Sequence, residues 1–396
     1  MSCCAKLRPS VNLPSVLDMT NWKLGLAVFT LFLPIFANTQ TPTPGDALAL
    51  EQQGKFAEAA AAWHRIAQQH PSDAAAFASL GLALSKQGKY VESVPVYRKA
   101  IALNPGLPGV QLNLGLAEFK LGHFQSAIPP LSAALGADPD NLQVRTLLGM
   151  SCYGAKRFAE AAKYLNTAAK ADPGNVQLHQ VLAQSCLAAK EYSCALEEFR
   201  QILERDPDSS AAHMLAGEAL DGLGRTPEAV AEFQTAAATA PREPNVHFGL
   251  GYLYWKLHQY DDAKPAFEQE LINDPGHAQA LAYLGDIELK RNNLEQALLL
   301  LKKAVQLRKD IRIAYLDTGA ILAEQHHYRD AILALQHAEK LDPEQPDAHL
   351  RLGRLYKSMG NTAAAEKEFA MLRQLHEKAD EDIAAKMSGG SPQSHQ

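Results

Sequence analysis

The chain has 396 residues, 47% of them hydrophobic but only 7% aromatic, and its 44 acidic and 38 basic side chains leave a formal net charge of −6. That balance supplies no general electrostatic pull toward nucleic acid or anionic lipid, so no nucleic-acid partner is expected. A globular chain of this length would divide into two or three domains, but an internal repeat overrides that prior in favour of one elongated helical domain.

Near the N-terminus, LGLAVFTLFLPIF from Leu24 to Phe36 is an apolar run preceded by Lys23 and followed by Ala37, Asn38 and Thr39. This is the arrangement of a signal peptide. A spanning helix needs about 20 apolar residues, and Pro34 sits near the end of this run. Residues 1–39 are therefore expected to be a cleaved signal peptide, cut near Ala37 to Thr39, with an uncleaved anchor or a buried helix as alternatives. A start at Met19 would give a leader of more ordinary length. The protein is expected to be exported, periplasmic or secreted, with contact to a membrane only through an uncleaved N-terminal helix. The polar stretch QTPTPG from Gln40 to Gly45 then links to the first repeat, whose first helix has the weakest pattern.

From there the sequence repeats every 34 residues without an insertion. Gly81, Gly115, Gly149, Ala183, Gly217, Gly251, Gly285, Gly319 and Gly353 form one register, and Ala47 precedes them. Ala59, Ser93, Ala127, Ala161, Ala195, Ala229, Ala263, Ala297, Ala331 and Ala365 form a second. A third holds proline from Pro71 to Pro343, with Lys309 and Glu377 as exceptions. Large residues recur at Trp63, Tyr97, Leu131, Leu165, Phe199, Phe233, Phe267, Leu301, Leu335 and Phe369. With the Leu80-Gly81, Gly88-x-Tyr90, Tyr97, Ala100 and Pro105 pattern, this resembles the tetratricopeptide repeat family. The small residues let two helices of a hairpin approach, the large ones fill the gap, and proline ends the second helix. One hairpin cannot bury its own apolar face, so neighbours must stack.

The resemblance implies an all-α fold, a right-handed superhelical solenoid of ten helix-turn-helix units over residues 40–379, with an inner face made mainly by the first helices. Residues 380–396 are expected to finish a capping helix, AMLRQLHEKADEDIAAK, and to end in a disordered tail from Ser388.

Cys152 and Cys186 are one period apart and are expected as buried apolar packing, a disulfide being the alternative; Cys194 is the third cysteine in the repeats. His179, His213, His247 and His349 share a register. Equivalent positions on stacked helices stand about 8–10 Å apart, whereas zinc ligands lie about 2.0–2.1 Å from the ion. These histidines are expected to pack at helix interfaces, and no metal or cofactor is assigned. No P-loop, GxSxG, HExxH or dinucleotide motif occurs in the sequence, so no enzymatic activity is expected.

At the inner positions that the family uses for ligand contact stand Leu116, Phe119, Tyr153, Gln184, Phe248, Tyr252, Trp255, Arg351 and Arg354. The middle of this groove reads apolar and aromatic and its far end basic. The resemblance therefore implies a scaffold or adaptor that binds a protein or peptide segment in the groove, with Tyr252 and Trp255 as anchors. A membrane-anchored envelope assembly or secretion factor, and an accessory subunit of a polysaccharide synthesis or export complex, are the alternative readings.

Overall fold

The structure, a computed structural model, describes residues 41–387. The apolar N-terminal run, Cys3, Cys4 and the tail from Ser388 lie outside the described residues. Within them the chain forms twenty helices and no strand, in two compact units that divide between Pro207 and Asp208.

The first unit holds α1 (Pro44–Gln52), α2 (Phe56–Gln69), α3 (Ala74–Lys86), α4 (Tyr90–Leu103), α5 (Val110–Lys120), α6 (Phe124–Ala137), α7 (Leu142–Gly154), α8 (Phe158–Ala171), α9 (Val176–Ala188) and α10 (Tyr192–Leu203). The second holds α11 (Ser210–Gly222), α12 (Thr226–Thr239), α13 (Val246–Lys256), α14 (Tyr260–Asn273), α15 (Ala278–Lys290), α16 (Leu294–Leu307), α17 (Arg312–Glu324), α18 (Tyr328–Leu341), α19 (Pro346–Ser358) and α20 (Thr362–Met387). Each odd helix packs antiparallel on the even helix after it, and from α3 on successive odd helices within each unit also touch one another. The odd helices therefore line the inner side of each stack.

The registers have a direct steric cause. A Cβ added at Gly115 would stand 2.5 Å from Leu131, and one at Gly251 would stand 2.8 Å from the Phe267 ring. Both distances are too short for carbon contacts, so the helix axes approach as closely as they do only because no side chain is present. The alanines of the second register are fully buried on the even helices, Ala195 and Ala263 among them.

The turn inside each hairpin follows a register that the glycine pattern only partly reveals. Residues 54, 88, 122, 224 and 360 are glycines with φ between 73° and 77°, while Lys156, Lys190, His258, Asn292 and His326 hold φ of 60° to 63° at equivalent places. All ten hairpins thus close through one left-handed residue, the normal helix C-terminal solution, and five do so at some cost in backbone strain.

Two exceptions in the proline register have different outcomes. At Lys309 the chain still turns, since α16 stops at Leu307. At Glu377 nothing breaks the helix, and α20 runs on for 26 residues to Met387. The expected cap is therefore an extension of the tenth hairpin's second helix, and its exposed Asp380, Glu381 and Asp382 keep that end polar.

The cysteine expectation needs correcting. Cys186 on α9 is joined to Cys194 on α10 by a disulfide, and only Cys152 remains as buried packing. The two partners lie eight residues apart across one hairpin turn, so the close approach of the two helices brings them together.

Candidate functional site on the first-helix face

The inner-face residues fall into four registers of the odd helices. Leu116, Gln184, Tyr252 and Arg354 share one, and Phe119, Tyr153 and Trp255 share another one turn further on. Phe248 and Arg351 lie in the two registers before these.

In the first unit Leu116, Phe119, Tyr153 and Gln184 are all half-buried. Phe119 meets Phe124 edge-on at 5.6 Å, and Tyr153 meets Phe158 at 5.9 Å. Each ring thus covers the start of the even helix in its own hairpin. The Tyr153 hydroxyl donates to Gln184 Oε1 at 2.9 Å, linking α7 to α9, and burial pushes the phenol's pKa up.

In the second unit the expected aromatic strip is corrected. Phe248 is 1% exposed and Tyr252 7%, so both belong to the core and cannot be open anchors. Phe248 stands 6.5 Å from Tyr252, 5.8 Å from Phe267, 4.7 Å from His277 and 6.0 Å from Tyr283. The box is seated on α13, whose first turn is fixed by the buried Glu270 carboxylate: it accepts from the Asn245 and Phe248 N–H groups, each at 3.0 Å. That carboxylate at a helix N-terminus answers otherwise unpaired donors and the helix dipole together. His277 Nδ1 accepts from Ala280 N–H, so its Nε2 carries the proton and donates to Asn245 Oδ1 at 3.0 Å. Burial holds the ring neutral, with its pKa lowered.

Trp255 is the member of the set that reaches the surface; it is half-buried and stacks on Tyr252 at 6.0 Å. Its indole N–H donates to Asp286 Oδ2 at 2.5 Å, and Lys290 Nζ lies 3.0 Å from the other oxygen of that carboxylate. Lys256, the next residue along, reaches Asp221 at 2.6 Å, and Asp221 also accepts from Thr226 at 2.9 Å. Further along, Arg351 lies 3.6 Å from Asp317. Burial first, and then the neighbouring Asp286 charge, push the Asp317 carboxyl up to about 8, so it holds its proton at neutral pH. Burial and Asp221 likewise push Glu218 up to about 7.

The arrangement places acidic side chains behind and cations in front. The side chains of Asp221, Asp286 and Asp317 are 5%, 5% and 2% exposed, whereas those of Lys256, Lys290 and Arg351 are 39%, 39% and 35% exposed. Arg354 and Lys357 on α19 are fully on the surface. Such a face presents Lys256 and Lys290 beside one aromatic edge, and further cationic tips on α19. It can pair with carboxylates and stack on an apolar side chain.

Sequence reasoning missed this acidic backing because Asp221 and Asp286 occupy registers that are apolar in most repeats, and that of Asp317 is mixed. It also missed why the histidines recur. His179, His213 and His349 each pair through Nδ1 with a glutamate 19 residues later, Glu198, Glu232 and Glu368, at 2.5, 2.6 and 2.7 Å. That spacing was legible. His247, which lacks such a glutamate, bonds to the Pro241 carbonyl at 2.9 Å instead.

Comparison with known proteins agrees with the repeat geometry. Two family models described as tetratricopeptide repeat match, one over residues 46–108, 112–176 and 248–310, the other over 153–219, 186–250 and 322–388. Anaphase-promoting complex subunit 3 of Schizosaccharomyces pombe is 24% identical over 147 residues, 37% of this chain and 22% of that protein. A TPR repeat-containing protein of Treponema pallidum is 31% identical over 160 residues, 40% of this chain and 19% of that one. The chain thus spans about a fifth of the length of these curated relatives. Yeast Tom70 is a similar solved structure, with a TM-score of 0.42 and 14% identity over 87% of this chain and 93% of that one. From the matched segments, which run almost unbroken from residue 46 to residue 388, the chain belongs to the tetratricopeptide repeat family.

Proposed function

We propose that this protein is a non-enzymatic interaction scaffold, exported from the cytoplasm, that holds a segment of a partner protein against its first-helix face. The observation that carries the reading is the second unit's inner surface, where Lys256 and Lys290 flank the half-buried Trp255 and Arg351, Arg354 and Lys357 on α19 add further cationic tips. Because Lys256, Lys290 and Arg351 are held from behind by buried acidic side chains, their tips are pre-oriented, and pre-orientation reduces the entropy lost on binding. The partner segment best matched to such a face is acidic, with an apolar or aromatic side chain to lie on Trp255.

Export is supported by the apolar run ahead of Ala37 and by the Cys186–Cys194 disulfide, since disulfides persist mainly in oxidising compartments. Among the described residues no helix is long and apolar enough to cross a membrane. The anchor alternative concerns residues outside that range.

The test is charge reversal at positions that carry no fold contact. Arg354→Glu with Lys357→Glu should weaken binding of an acidic peptide tenfold or more while leaving the melting temperature within a degree or two. Unchanged affinity would remove the cationic face from the binding account. For export, the N-terminus of the mature protein should begin after Ala37, Asn38 or Thr39, and an intact leader on cytoplasmic protein would overturn that part.

A further inference from the structure

We propose that Glu339, His349 and Glu368 form a binding site for a divalent transition-metal ion of the zinc type, tying the ninth and tenth hairpins together. The three residues come from α18, α19 and α20, and each has a ligating atom within 4.8 Å of the other two. The site lies away from the inner face and is independent of the scaffold reading.

The geometry of the imidazole carries the inference. His349 has a side chain only 4% exposed, and its Nδ1 lies 2.7 Å from Glu368 Oε2. An ionised carboxylate only accepts, so Nδ1 carries a proton, and in the neutral ring Nε2 presents its lone pair. That lone pair faces the Glu339 carboxylate, whose Oε1 stands 4.0 Å away. Two acceptors therefore look at each other across a gap too wide for a hydrogen bond, with the negative charge of Glu368 close behind. A metal ion about 2.0–2.1 Å from nitrogen and about 2.0–2.2 Å from oxygen bridges such a gap with a small movement of Glu339, which is a third exposed and free to adjust. Glu368 then plays the part of the carboxylate that fixes the tautomer and orientation of a metal-bound histidine. Tyr356 lies close enough to Glu339 and Glu368 that their charges add to burial in raising its pKa, so its phenol stays neutral and compensates neither carboxylate.

The repeat supplies its own control. The His179–Glu198 pair has the same spacing and the same Nδ1 contact, yet the residue ten places before its histidine is Ala169, whereas the residue ten places before His349 is Glu339. His179 Nε2 is buried with no hydrogen-bond partner. A histidine-glutamate pair alone therefore packs helix on helix, and the extra carboxylate of Glu339 sets a second ligand opposite Nε2, with Glu368 holding the ring from behind. An imidazole ligand favours zinc, cobalt or nickel over magnesium and calcium, which take oxygen ligands.

The experiment uses the full chain, stripped with chelator and titrated with Zn²⁺ in competition with a chromophoric chelator, and with Co²⁺ followed by its visible d–d absorption. One equivalent should bind near neutral pH, Mg²⁺ and Ca²⁺ should not compete, and affinity should fall on acidification because protons compete with the metal for its ligands. Glu339→Ala leaves the His349–Glu368 contact intact and should weaken binding at least tenfold, as should His349→Asn. His179→Asn should leave it unchanged. Zinc should also raise the melting temperature of the parent protein and not that of Glu339→Ala. Binding that survives Glu339→Ala and His349→Asn, or that falls equally in His179→Asn, or no binding at micromolar metal, would overturn the proposal and leave an ion pair only.

Discussion

Tyr252 and Trp255 are one helical turn apart on α13 and read alike in the sequence, but the structure assigns them different work, and substitution should separate the two. Tyr252 is 7% exposed, with ring centroids of Phe248, Trp255 and Tyr283 at 6.5, 6.0 and 5.6 Å. Truncating a buried aromatic to alanine costs about 3–5 kcal/mol, transfer and cavity together. The neighbours here are mostly rigid rings that cannot collapse into the space, so Tyr252→Ala should fall inside that range. For a unit of this size each kcal/mol lowers the melting temperature by roughly 2–4 °C, so the shift should be about 6–20 °C. Trp255→Phe keeps a ring on the surface and removes only the N–H donated to Asp286, which Lys290 still contacts at 3.0 Å. Losing one donor to a buried carboxylate costs about 1–3 kcal/mol, and the remaining ammonium places this case at the low end. Urea unfolding followed by far-UV circular dichroism, with peptide binding measured on folded protein, distinguishes the two. Tyr252→Ala should lose stability and keep affinity once folded, whereas Trp255→Ala should lose affinity. A Tyr252→Ala protein that melts like the parent yet fails to bind would refute the aromatic-box assignment.

Three further outcomes follow from the same contacts. Asp317 and Glu218 have carboxyls raised to about 8 and about 7 in the folded chain, so the fold binds more protons than the unfolded chain between about pH 4 and pH 8, and this part of stability is lost as pH rises through that window. Asp317→Asn should therefore raise the melting temperature at pH 8 and change it little at pH 5; an equal shift at both would contradict the assignment. Gly88→Ala adds a Cβ that meets nothing within 4 Å, yet φ is 75° there, so it should cost about 1 kcal/mol through backbone strain alone, measured by urea midpoint. Ala263→Leu, at a fully buried position, should cost about 1–3 kcal/mol by overpacking, whereas Ala363→Leu on the exposed start of α20 should cost little.

The repeat was legible because its registers are steric. A glycine such as Gly251, where an added Cβ would stand 2.8 Å from Phe267, leaves a mark along the repeats, and so does a proline that stops a helix. The inner face was harder to read, since burial there depends on which neighbour a residue meets on the next hairpin. Phe248 and Trp255 lie on the same short helix, yet one is enclosed by Phe267, His277 and Tyr283 and the other reaches the surface beside Lys256. The contacts of Asp286 with Trp255, of Asp221 with Lys256 and of Asp317 with Arg351 arise across hairpins, at separations no single repeat encodes. The Cys186–Cys194 link was obscured because Cys186 matches Cys152 one period away, and that match argued for a shared packing role.

The measurement that tests the central claim most directly is site-specific photo-crosslinking in the native cell, from an inner and an outer position of the same unit. A photoreactive residue at Arg354, on the odd-helix face, should give a discrete adduct with a partner protein. The same residue at Leu333, which is 58% exposed on α18, should give none. Adducts from position 333 with none from position 354 would contradict the account and place binding on the second helices.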